Sequence, residues 1–318
     1  MYPLLLKPPI KDYLWGGTRL KTEFNLECDT AVAAEGWMLS CHKDGTSIVT
    51  NGKFASKTLS SVLEEWGGDA LGKNAAHFSY FPLLIKLIDA KQSLSVQVHP
   101  NDEYALQHEG EFGKTEMWYV VDCDDAAELI YGFNTVLSKD EFEKRIADNT
   151  LLDVCNHVPV QKGDVFFIEA GMLHAIGGGI LIAEVQQNSN STYRVYDFGR
   201  LGADGKPRTL HTQKAIEVTS LEPPTIPYGQ VGDVIKDNKN TIRTLAQCDL
   251  FSTYLLMLQE SFTVHHDDSF VSLVCLDGSA TISWNDSSFR VQKGNSVFIP
   301  AGLTVEISGI ATLLYSYI

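Results

Sequence analysis

The most informative absences in this 318-residue chain are paired cysteines and long apolar runs. The six cysteines are scattered and form no Cys-x-x-Cys pair, which argues against a zinc finger or a redox motif and fits a reducing compartment. No 18 consecutive residues are apolar, and the apolar run at the N-terminus is broken by Lys7 and two prolines. We therefore expect a cytoplasmic protein that is neither secreted nor membrane-spanning.

Positive charge is also scarce. Lysine and arginine number 25 against 40 aspartates and glutamates, which gives a formal net charge of −15. Such a surface disfavours nucleic acids and anionic membranes as partners. We expect the partner to be a small molecule instead, and any anionic group on it must be held by a few local cations.

The residues that are present describe a soluble globular chain with a large core, since 44% are hydrophobic and 15 are phenylalanine. Short β-type segments bounded by turn residues predominate, for example at 93–99, 117–121, 164–168, 181–185 and 270–276. Helical patterns are fewer and lie at 58–66, 138–148 and 212–218. The fold class is therefore mainly β, with small helical insertions around 57–67 and 138–148.

An internal repeat indicates how the chain is organised. Residues 163–174 and 294–305 share the pattern Gly-x4-Ile-x-Ala-Gly at an offset of 131. A strand between two glycine turns is a hairpin unit of a small β-barrel, so its recurrence predicts two related jelly-roll-like barrels. The segment 221–232, with three prolines and two glycines, suggests domains at 1–222 and 223–318. Because the second copy has Val305 where the first has His174, we expect the C-terminal domain to be metal-free.

Four side chains form a candidate metal site. Gln97 and His99 are two residues apart in a β-type alternation, so both face one side of a strand. Glu116 opens the next predicted strand and His174 ends the first copy of the repeat. Two imidazoles, a carboxylate and an amide oxygen suit a divalent metal, with zinc favoured. The simpler alternative is that His99 caps a strand before Pro100 and that Glu116 is a surface charge.

Five stretches, in chain order, resemble the type I mannose-6-phosphate isomerases, a zinc-dependent family built on cupin barrels. They are DYLWGG at 12–17, FPLLIK at 81–86, LSVQVHPND at 94–102, KTEMWY at 114–119 and AGMLHAIGGG at 170–179. Glu184 also precedes Arg194 by ten residues, as in the catalytic strand of that family. The ordered matches cover roughly residues 10 to 220 and are specific as a set.

The resemblance implies two cupin domains and one zinc ion per chain, held by Gln97, His99, Glu116 and His174. It also implies that Arg194 is catalytic, and that D-mannose 6-phosphate and D-fructose 6-phosphate are interconverted through a cis-enediol. The chain departs from the longer members at three places, which are Gly113 in place of histidine, Asn190 in place of aspartate, and RVYDFGR at 194–200 in place of Arg-Ala-Gly-Leu-Thr-Pro-Lys. These departures resemble the compact bacterial branch.

The isomerisation needs a base, a stabiliser for the oxygens and an anchor for the phosphate. Arg194 suits the charge of an enediolate or a phosphate. Lys114 and Glu184 are candidates for the proton transfer, and Lys86 and Lys114 for the phosphate anchor. Trp15 and Ser95 are further candidates for contact with the substrate.

Simpler interpretations stay open for several of these residues. Lys86 could extend along an apolar strand, Glu184 and Arg194 could form an ordinary ion pair, and Trp15 could be a core residue. Other functions also stay open on the same scaffold, namely an iron oxygenase and a non-catalytic regulator with two cupin domains that binds a sugar phosphate. We expect a monomer or a weak homodimer.

Overall fold

The chain is described here by a computed structural model, which covers residues 1–202 and 205–318. Strands dominate its regular structure. In the first third of the chain they are β1 (Leu4–Lys7), β2 (Ile10–Lys11), β3 (Glu35–Leu39), β4 (Cys41–His42), β5 (Gly45–Thr46), β6 (Ile48–Val49) and β7 (Leu83–Ala90). The middle contains β8 (Val96–Val98), β9 (Glu116–Cys123), β10 (Glu128–Phe133), β11 (Cys155–Pro159), β12 (Val165–Ile168), β13 (His174–Ala175), β14 (Ile180–Gln187) and β15 (Tyr193–Tyr196). The C-terminal part contains β16 (Val234–Asp237), β17 (Asn240–Gln247), β18 (Ser252–Leu258), β19 (Phe262–Val264), β20 (Val271–Trp284), β21 (Ser287–Gln292), β22 (Ser296–Ile299) and β23 (Val305–Tyr317). The predicted mainly β fold class is confirmed.

The α-helices are short and lie between the strands, as α1 (Arg19–Thr22), α2 (Leu59–Trp66), α3 (Asp102–His108), α4 (Lys139–Ala147) and α5 (Thr212–Val218). Single 3-10 turns lie at Gly52–Phe54, Gly68–Ala70, Lys73–Ala75 and Leu151–Val154. The predicted helices α2, α4 and α5 are confirmed. Thr58 caps α2 by accepting from the Ser61 amide, and Ser138 caps α4 by accepting from the Glu141 amide. Within the described residues, no helix combines the length and the apolar character that a membrane crossing would require.

The described residues form two compact units, each assembled from separate stretches of chain. The first contains residues 1–11, 18–87 and 231–318, and the second contains residues 12–17 and 88–230. Residues 18–87 thus pack with the C-terminal segment, although they precede the second unit in sequence. The domain boundary that the sequence predicts after residue 222 stays a prediction.

The first unit is organised around one large antiparallel sheet. Its strands run in the order β16-β17-β18-β23-β20-β22-β1-β6, with β19 added to β23 and β21 to β20. Every second residue at the start of β20 faces the core, beginning with Val271, Leu273 and Cys275, and these pack with residues of β23 such as Leu313. The alternation gives this sheet an apolar face that packs into a core.

The second unit places the candidate site between two groups of strands. One sheet has the order β11-β10-β13-β8-β15, and the other group includes the neighbours β12-β9-β14. On β8, Val96 and Val98 belong to a core that also contains Phe142 of α4 and Ala215 of α5. Because successive residues of a strand face opposite sides, Gln97 points away from this core. The helices therefore cover one face of the sheet and leave the other for polar side chains.

The two copies of the sequence repeat have equivalent strand pairing in the structure. Gly163 and Gly294, which open the two copies, adopt φ angles of +92° and +89°, a left-handed conformation that favours glycine. In the first copy Ile168 lies opposite Glu116 and His174 opposite Gln97; in the second, Ile299 lies opposite Val271 and Val305 opposite Val264. The same register makes His99 equivalent to His266, two residues further along. Three of the four candidate donor positions of the first copy therefore hold valine in the second.

Candidate metal centre and active site

A row of three polar side chains crosses the sheet of the second unit. Gln97 lies on β8, with His174 of β13 opposite it on one side and Arg194 of β15 opposite it on the other. Residues directly opposite one another in antiparallel strands share a face, with Cβ atoms about 4.5–5.5 Å apart. The pairing thus places Gln97, a candidate ligand, beside both His174 and Arg194, although the three residues are far apart in sequence.

The facing strands supply two buried carboxylates. Glu116 at the start of β9 lies opposite Gln186 of β14, and Trp118 lies opposite Glu184. The Trp118 indole Nε1 donates to Glu184 Oε2 at 2.9 Å, which fixes the orientation of that carboxylate. Glu116 has no exposed surface and Glu184 has 2%. Carboxylates buried this deeply require cations or strong donors nearby.

His99, Glu116 and His174 form a buried cluster that could hold a metal ion. The two imidazole Nε2 atoms are 3.1 Å apart, and the Glu116 oxygens lie 3.6 Å from His174 Nε2 and 3.7 Å from His99 Nε2. The amide nitrogen of Gln97 lies 3.4 Å from His174 Nε2, and a flip of the amide would put its oxygen there. Ligands about 2.0–2.1 Å from one ion in tetrahedral geometry are about 3.3 Å apart. The four side chains therefore fit a single small divalent cation.

Both histidines are oriented by backbone carbonyls. His174 Nδ1 lies 2.8 Å from the carbonyl oxygen of Met172, and His99 Nδ1 lies 2.9 Å from that of Ser191. When Nδ1 donates its proton to a carbonyl, the lone pair of Nε2 points into the cluster, which is the usual support for a metal-bound histidine. Burial, with a further contribution from the Lys114 ammonium, lowers the pKa of His174 to about 4. At neutral pH the imidazole is therefore uncharged and able to coordinate a metal.

Lys114 brings a positive charge into the same cluster. Its Nζ lies 2.7 Å from Glu116 Oε2, 3.2 Å from His99 Nε2 and 3.9 Å from Glu184 Oε1. The ammonium therefore lies between the two buried carboxylates and beside a candidate metal ligand. This position suits proton transfer or charge stabilisation at the reacting atoms, and the role of Lys114 as a phosphate anchor stays a prediction.

The loop that carries Lys114 is held by a small hydrogen-bond network. The Lys114 amide donates to the Pro100 carbonyl at 3.0 Å, and the Gly113 amide donates to Asp102 Oδ1 at 2.8 Å. Gln187 Nε2 donates to the same Asp102 oxygen at 3.0 Å. A β-carbon on Gly113 would lie 2.4 Å from a backbone carbon of Asn101, so this loop has no room for a side chain at position 113.

We expect Gly113→Ala to reduce activity by displacing Lys114. The added methyl group collides with backbone rather than with a flexible side chain, so the loop must move. A shift of about 1 Å in a catalytic group can cost on the order of 100-fold in rate. The measurement is kcat for the isomerisation that the family resemblance implies. Gly68→Ala is the matched control, since a β-carbon on Gly68 meets no atom within 4 Å. An unchanged kcat in Gly113→Ala would contradict the positioning role of this loop.

The other candidate residues lie in different surroundings. Ser95 is buried, and its hydroxyl is 3.4 Å from Gln97 Oε1, next to the cluster. Trp15 is buried with its ring 5.5 Å from that of Tyr13. Lys86 belongs to the first unit, where its Nζ lies 3.8 Å from Glu35 Oε2. The structure thus groups Ser95 with the candidate metal ligands, and the roles of Trp15 and Lys86 stay predictions.

Arg194 is held through one end of its guanidinium group. Its Nη1 donates to the Thr209 carbonyl at 3.0 Å, and its Nε is buried with no hydrogen-bond partner among the described residues. Glu184 contacts Lys114 and Trp118 instead. Glu184 and Arg194 are therefore oriented by these other contacts and not by the mutual ion pair that the sequence left open.

The sequence analysis did not assign a role to three residues near Arg194. Asp197 is buried and accepts hydrogen bonds from both Arg200 and Arg208. The available signal was the recurrence of three arginines between positions 194 and 208 of an acidic chain. The sequence did not show that two of them, Arg200 and Arg208, share the Asp197 carboxylate.

The fold and the buried donor set define a mainly β protein with one candidate metal centre among the described residues. Residues 4–125 match the family model "Phosphomannose isomerase type I, catalytic domain", and residues 241–318 match "Mannose-6-phosphate isomerase, cupin domain". The chain belongs to the type I phosphomannose isomerase family. The family resemblance and the enzyme class predicted from sequence are thereby confirmed.

Individual relatives agree over the whole chain. Mannose-6-phosphate isomerase ManA of Bacillus subtilis is 38% identical over 323 residues, which is 99% of each chain. A putative mannose-6-phosphate isomerase of the same organism, YvyI, is 36% identical over 99% of each chain. The crystal structure of the mannose 6-phosphate isomerase from Bacillus subtilis matches all of both chains with a TM-score of 0.92 and 35% identity. A putative mannosephosphate isomerase from Archaeoglobus fulgidus, at 19% identity and a TM-score of 0.78 over 99% of this chain and 97% of its own, shares the fold.

Proposed function

We propose that the protein is a zinc-dependent aldose–ketose isomerase that interconverts D-mannose 6-phosphate and D-fructose 6-phosphate. The observation that carries this proposal is the buried cluster of His99, Glu116 and His174, with Gln97 beside it, in a chain of this family. One zinc ion per chain is proposed, because two imidazoles, one carboxylate and one amide oxygen form a donor set that zinc accepts.

The isomerisation moves a proton from C2 of the aldose to C1 and passes through a cis-enediol. When bound, zinc would polarise the carbonyl and hydroxyl oxygens of the substrate as a Lewis acid. Lys114 and Glu184 are the proposed proton carriers, and this is supported by their separation of 3.9 Å beside the ligand cluster. The base takes the C2 proton as the double bond forms between C1 and C2, and O1 accepts a proton to give the enediol. The proton on O2 then leaves as the C2 carbonyl forms, and the base returns a proton to C1.

Arg194 is proposed to stabilise the charge that develops on the enediolate oxygens. Its strand neighbour is Gln97, so the guanidinium belongs to the same face as the metal ligands. Its Nε has no hydrogen-bond partner within residues 1–202 and 205–318, so it offers a donor to the substrate. A preorganised donor of this kind acts on the transition state without having to reorient during the reaction.

We expect turnover to depend reversibly on zinc. The measurement is a coupled assay for fructose 6-phosphate, made on metal-analysed protein before chelation, after chelation and after zinc is restored. Activity should disappear with the metal and return with about one zinc per chain. Reloading with magnesium, which prefers six oxygen ligands, is the control and should not restore the rate.

The assay also distinguishes the main alternative. A sugar-phosphate-binding regulator would hold zinc and bind mannose 6-phosphate without converting it, so absence of turnover in fully loaded protein would contradict the isomerase proposal. A cytoplasmic location and a monomeric or weakly dimeric state complete the proposal. The net charge of −15 supports a soluble metabolic role with no nucleic-acid partner.

A further inference from the structure

One residue satisfies both backbone groups of Arg194. Strand β15 is the last strand of its sheet, so the backbone groups on its outer edge need partners from elsewhere in the chain. The Arg194 amide donates to His211 Nδ1 at 3.1 Å, and the Arg194 carbonyl oxygen accepts from the His211 amide at 2.7 Å. His211 therefore continues the hydrogen bonding of the sheet at the position that carries the candidate catalytic side chain.

The same short segment also holds the side chain of Arg194. Nη1 of the guanidinium group donates to the carbonyl oxygen of Thr209 at 3.0 Å, two residues before His211. The backbone of Arg194 and one end of its guanidinium group are thus both fixed by residues 209–211. A shift of this segment would move the arginine with it.

His211 occupies a helix position where another residue type is usual. It is the N-cap of α5, a position that favours serine, threonine, aspartate or asparagine because their side chains accept from the first turn. The His211 side chain makes no such bond, and its ring lies against the Arg194 amide instead. The His211 carbonyl oxygen accepts from the amide of Ala215, which is fully buried in the core that contains Val98 of β8. Departure from a local rule in this way is typical of a residue with a functional task.

The hydrogen bond from the Arg194 amide requires a neutral imidazole. Nδ1 accepts only when it carries no proton, which leaves the proton of the ring on Nε2. Burial lowers the pKa of His211, the positive charges of Arg194 and Lys214 lower it further, and the negative charge of Glu109 opposes them. Glu109 is itself bonded to Lys214 Nζ at 2.5 Å and to the hydroxyl of Tyr193, whose ring lies 6.1 Å from the imidazole. His211 is therefore neutral at neutral pH and gains its proton only in acid.

We propose that His211 is a positioning residue for Arg194, and that its neutral imidazole holds the arginine where charge develops on the enediolate. This inference rests on the proposed isomerase function and on the role proposed there for Arg194. Donors that stabilise a transition state act best when the fold fixes them before the charge develops. Protonation of His211 removes the acceptor of the Arg194 amide, so the arginine loses this support in acid.

The test compares His211→Ala with His211→Asn. The alanine variant removes the acceptor, so kcat for mannose 6-phosphate should fall about 10- to 100-fold, since a displacement of about 1 Å can cost about 100-fold in rate. The asparagine variant keeps an acceptor, because its Oδ1 is bonded to Cγ as Nδ1 is in histidine, and its kcat should stay within about threefold of wild type. KM should change by less than about threefold in both variants, because Arg194 acts on the transition state. Wild-type kcat in a folded His211→Ala protein would overturn the proposal.

A second comparison shows whether His211 acts through Arg194. In an Arg194→Ala background, His211→Ala should cause no further loss of kcat, because the group that His211 positions has been removed. Losses that multiply would overturn the proposal and indicate a general structural role. His157→Ala is the matched control, since His157 belongs to the same unit and pairs with Glu128 at an exposed site. It should leave kcat unchanged.

The pH dependence of kcat provides a test that does not need the alanine variant. The ratio of kcat in His211→Asn to kcat in wild type cancels the titrations that the two proteins share. This ratio should rise as the pH falls from about 7 to about 5, because histidine gains a proton in this range and asparagine does not. Metal content is measured at each pH. A constant ratio while both proteins keep their metal would overturn the role of the neutral imidazole.

Amide hydrogen exchange separates this inference from the proposed function. If the wild-type protein shows no turnover, the exchange rate of the Arg194 amide is measured directly. Faster exchange in His211→Ala than in His211→Asn and His157→Ala would support the positioning role even though the isomerase proposal had failed. Equal exchange in the three variants would overturn it.

Discussion

The variant His174→Ala is expected to lose metal and turnover together. His174 Nε2 lies 3.1 Å from His99 Nε2 and 3.6 Å from Glu116 Oε1, at the centre of the candidate ligand set. A metal ion contributes several kcal/mol to charge stabilisation in the transition state, so activity should fall by about 1000-fold or more. The measurements are metal content per chain and the rate of fructose 6-phosphate formation.

His266→Ala provides the matched control for this variant. His266 occupies the position in the second copy of the repeat that corresponds to His99, and its Nε2 lies 2.6 Å from the Tyr315 hydroxyl. The variant should retain one metal ion per chain and most of the activity. Stoichiometric metal in His174→Ala would show that the ligand assignment is wrong.

Arg194→Ala is expected to show the opposite combination, full metal content with little turnover. Arg194 lies on β15, opposite Gln97 of β8. It is not one of the residues of the buried cluster that could hold the metal. Removal of one preorganised donor from the site of developing charge costs about 100- to 1000-fold in kcat. Metal analysis and steady-state kinetics on the same preparation test both halves of the expectation.

The control for Arg194→Ala is Arg145→Ala, which removes an arginine of the same unit that pairs with Glu141. It should leave kcat and metal content unchanged. A near-normal kcat in Arg194→Ala would contradict the catalytic assignment, and loss of metal would indicate that the arginine supports the ligand strand instead.

Local signals in the sequence predicted much of the fold. Helices α2 and α4 were identifiable because a hydroxyl residue, Thr58 or Ser138, precedes each one and caps it. The helix α3 was not predicted, although Asn101 caps it, because its seven residues bury only Ala105 and lack a clear apolar stripe. The glycines of the repeat were informative because their backbone conformation favours that residue.

The candidate site was harder to predict than the strands that carry it. Period-two alternation shows that Gln97 and His99 share a face, but it does not show which strands lie beside them. The pairing of Gln97 with both His174 and Arg194 is non-local, and it depends on the register of three strands. The position of Lys114 between Glu116 and Glu184 likewise follows from packing, so the sequence left its role open between proton transfer and phosphate binding.

The valines of the second repeat copy have a thermodynamic consequence. Val264, Val271 and Val305 are each at most 1% exposed and fill the apolar interior of the first unit. Burial of a valine contributes about 1.5–3 kcal/mol to the free energy of folding, whereas buried imidazoles and carboxylates pay for desolvation unless they are paired or bind a metal. One copy thus gains its stability from packing, and the other would gain part of it from the proposed metal ion, which binds the native state. Equivalent positions of one backbone pattern therefore hold packing valines in one unit and the proposed metal ligands in the other.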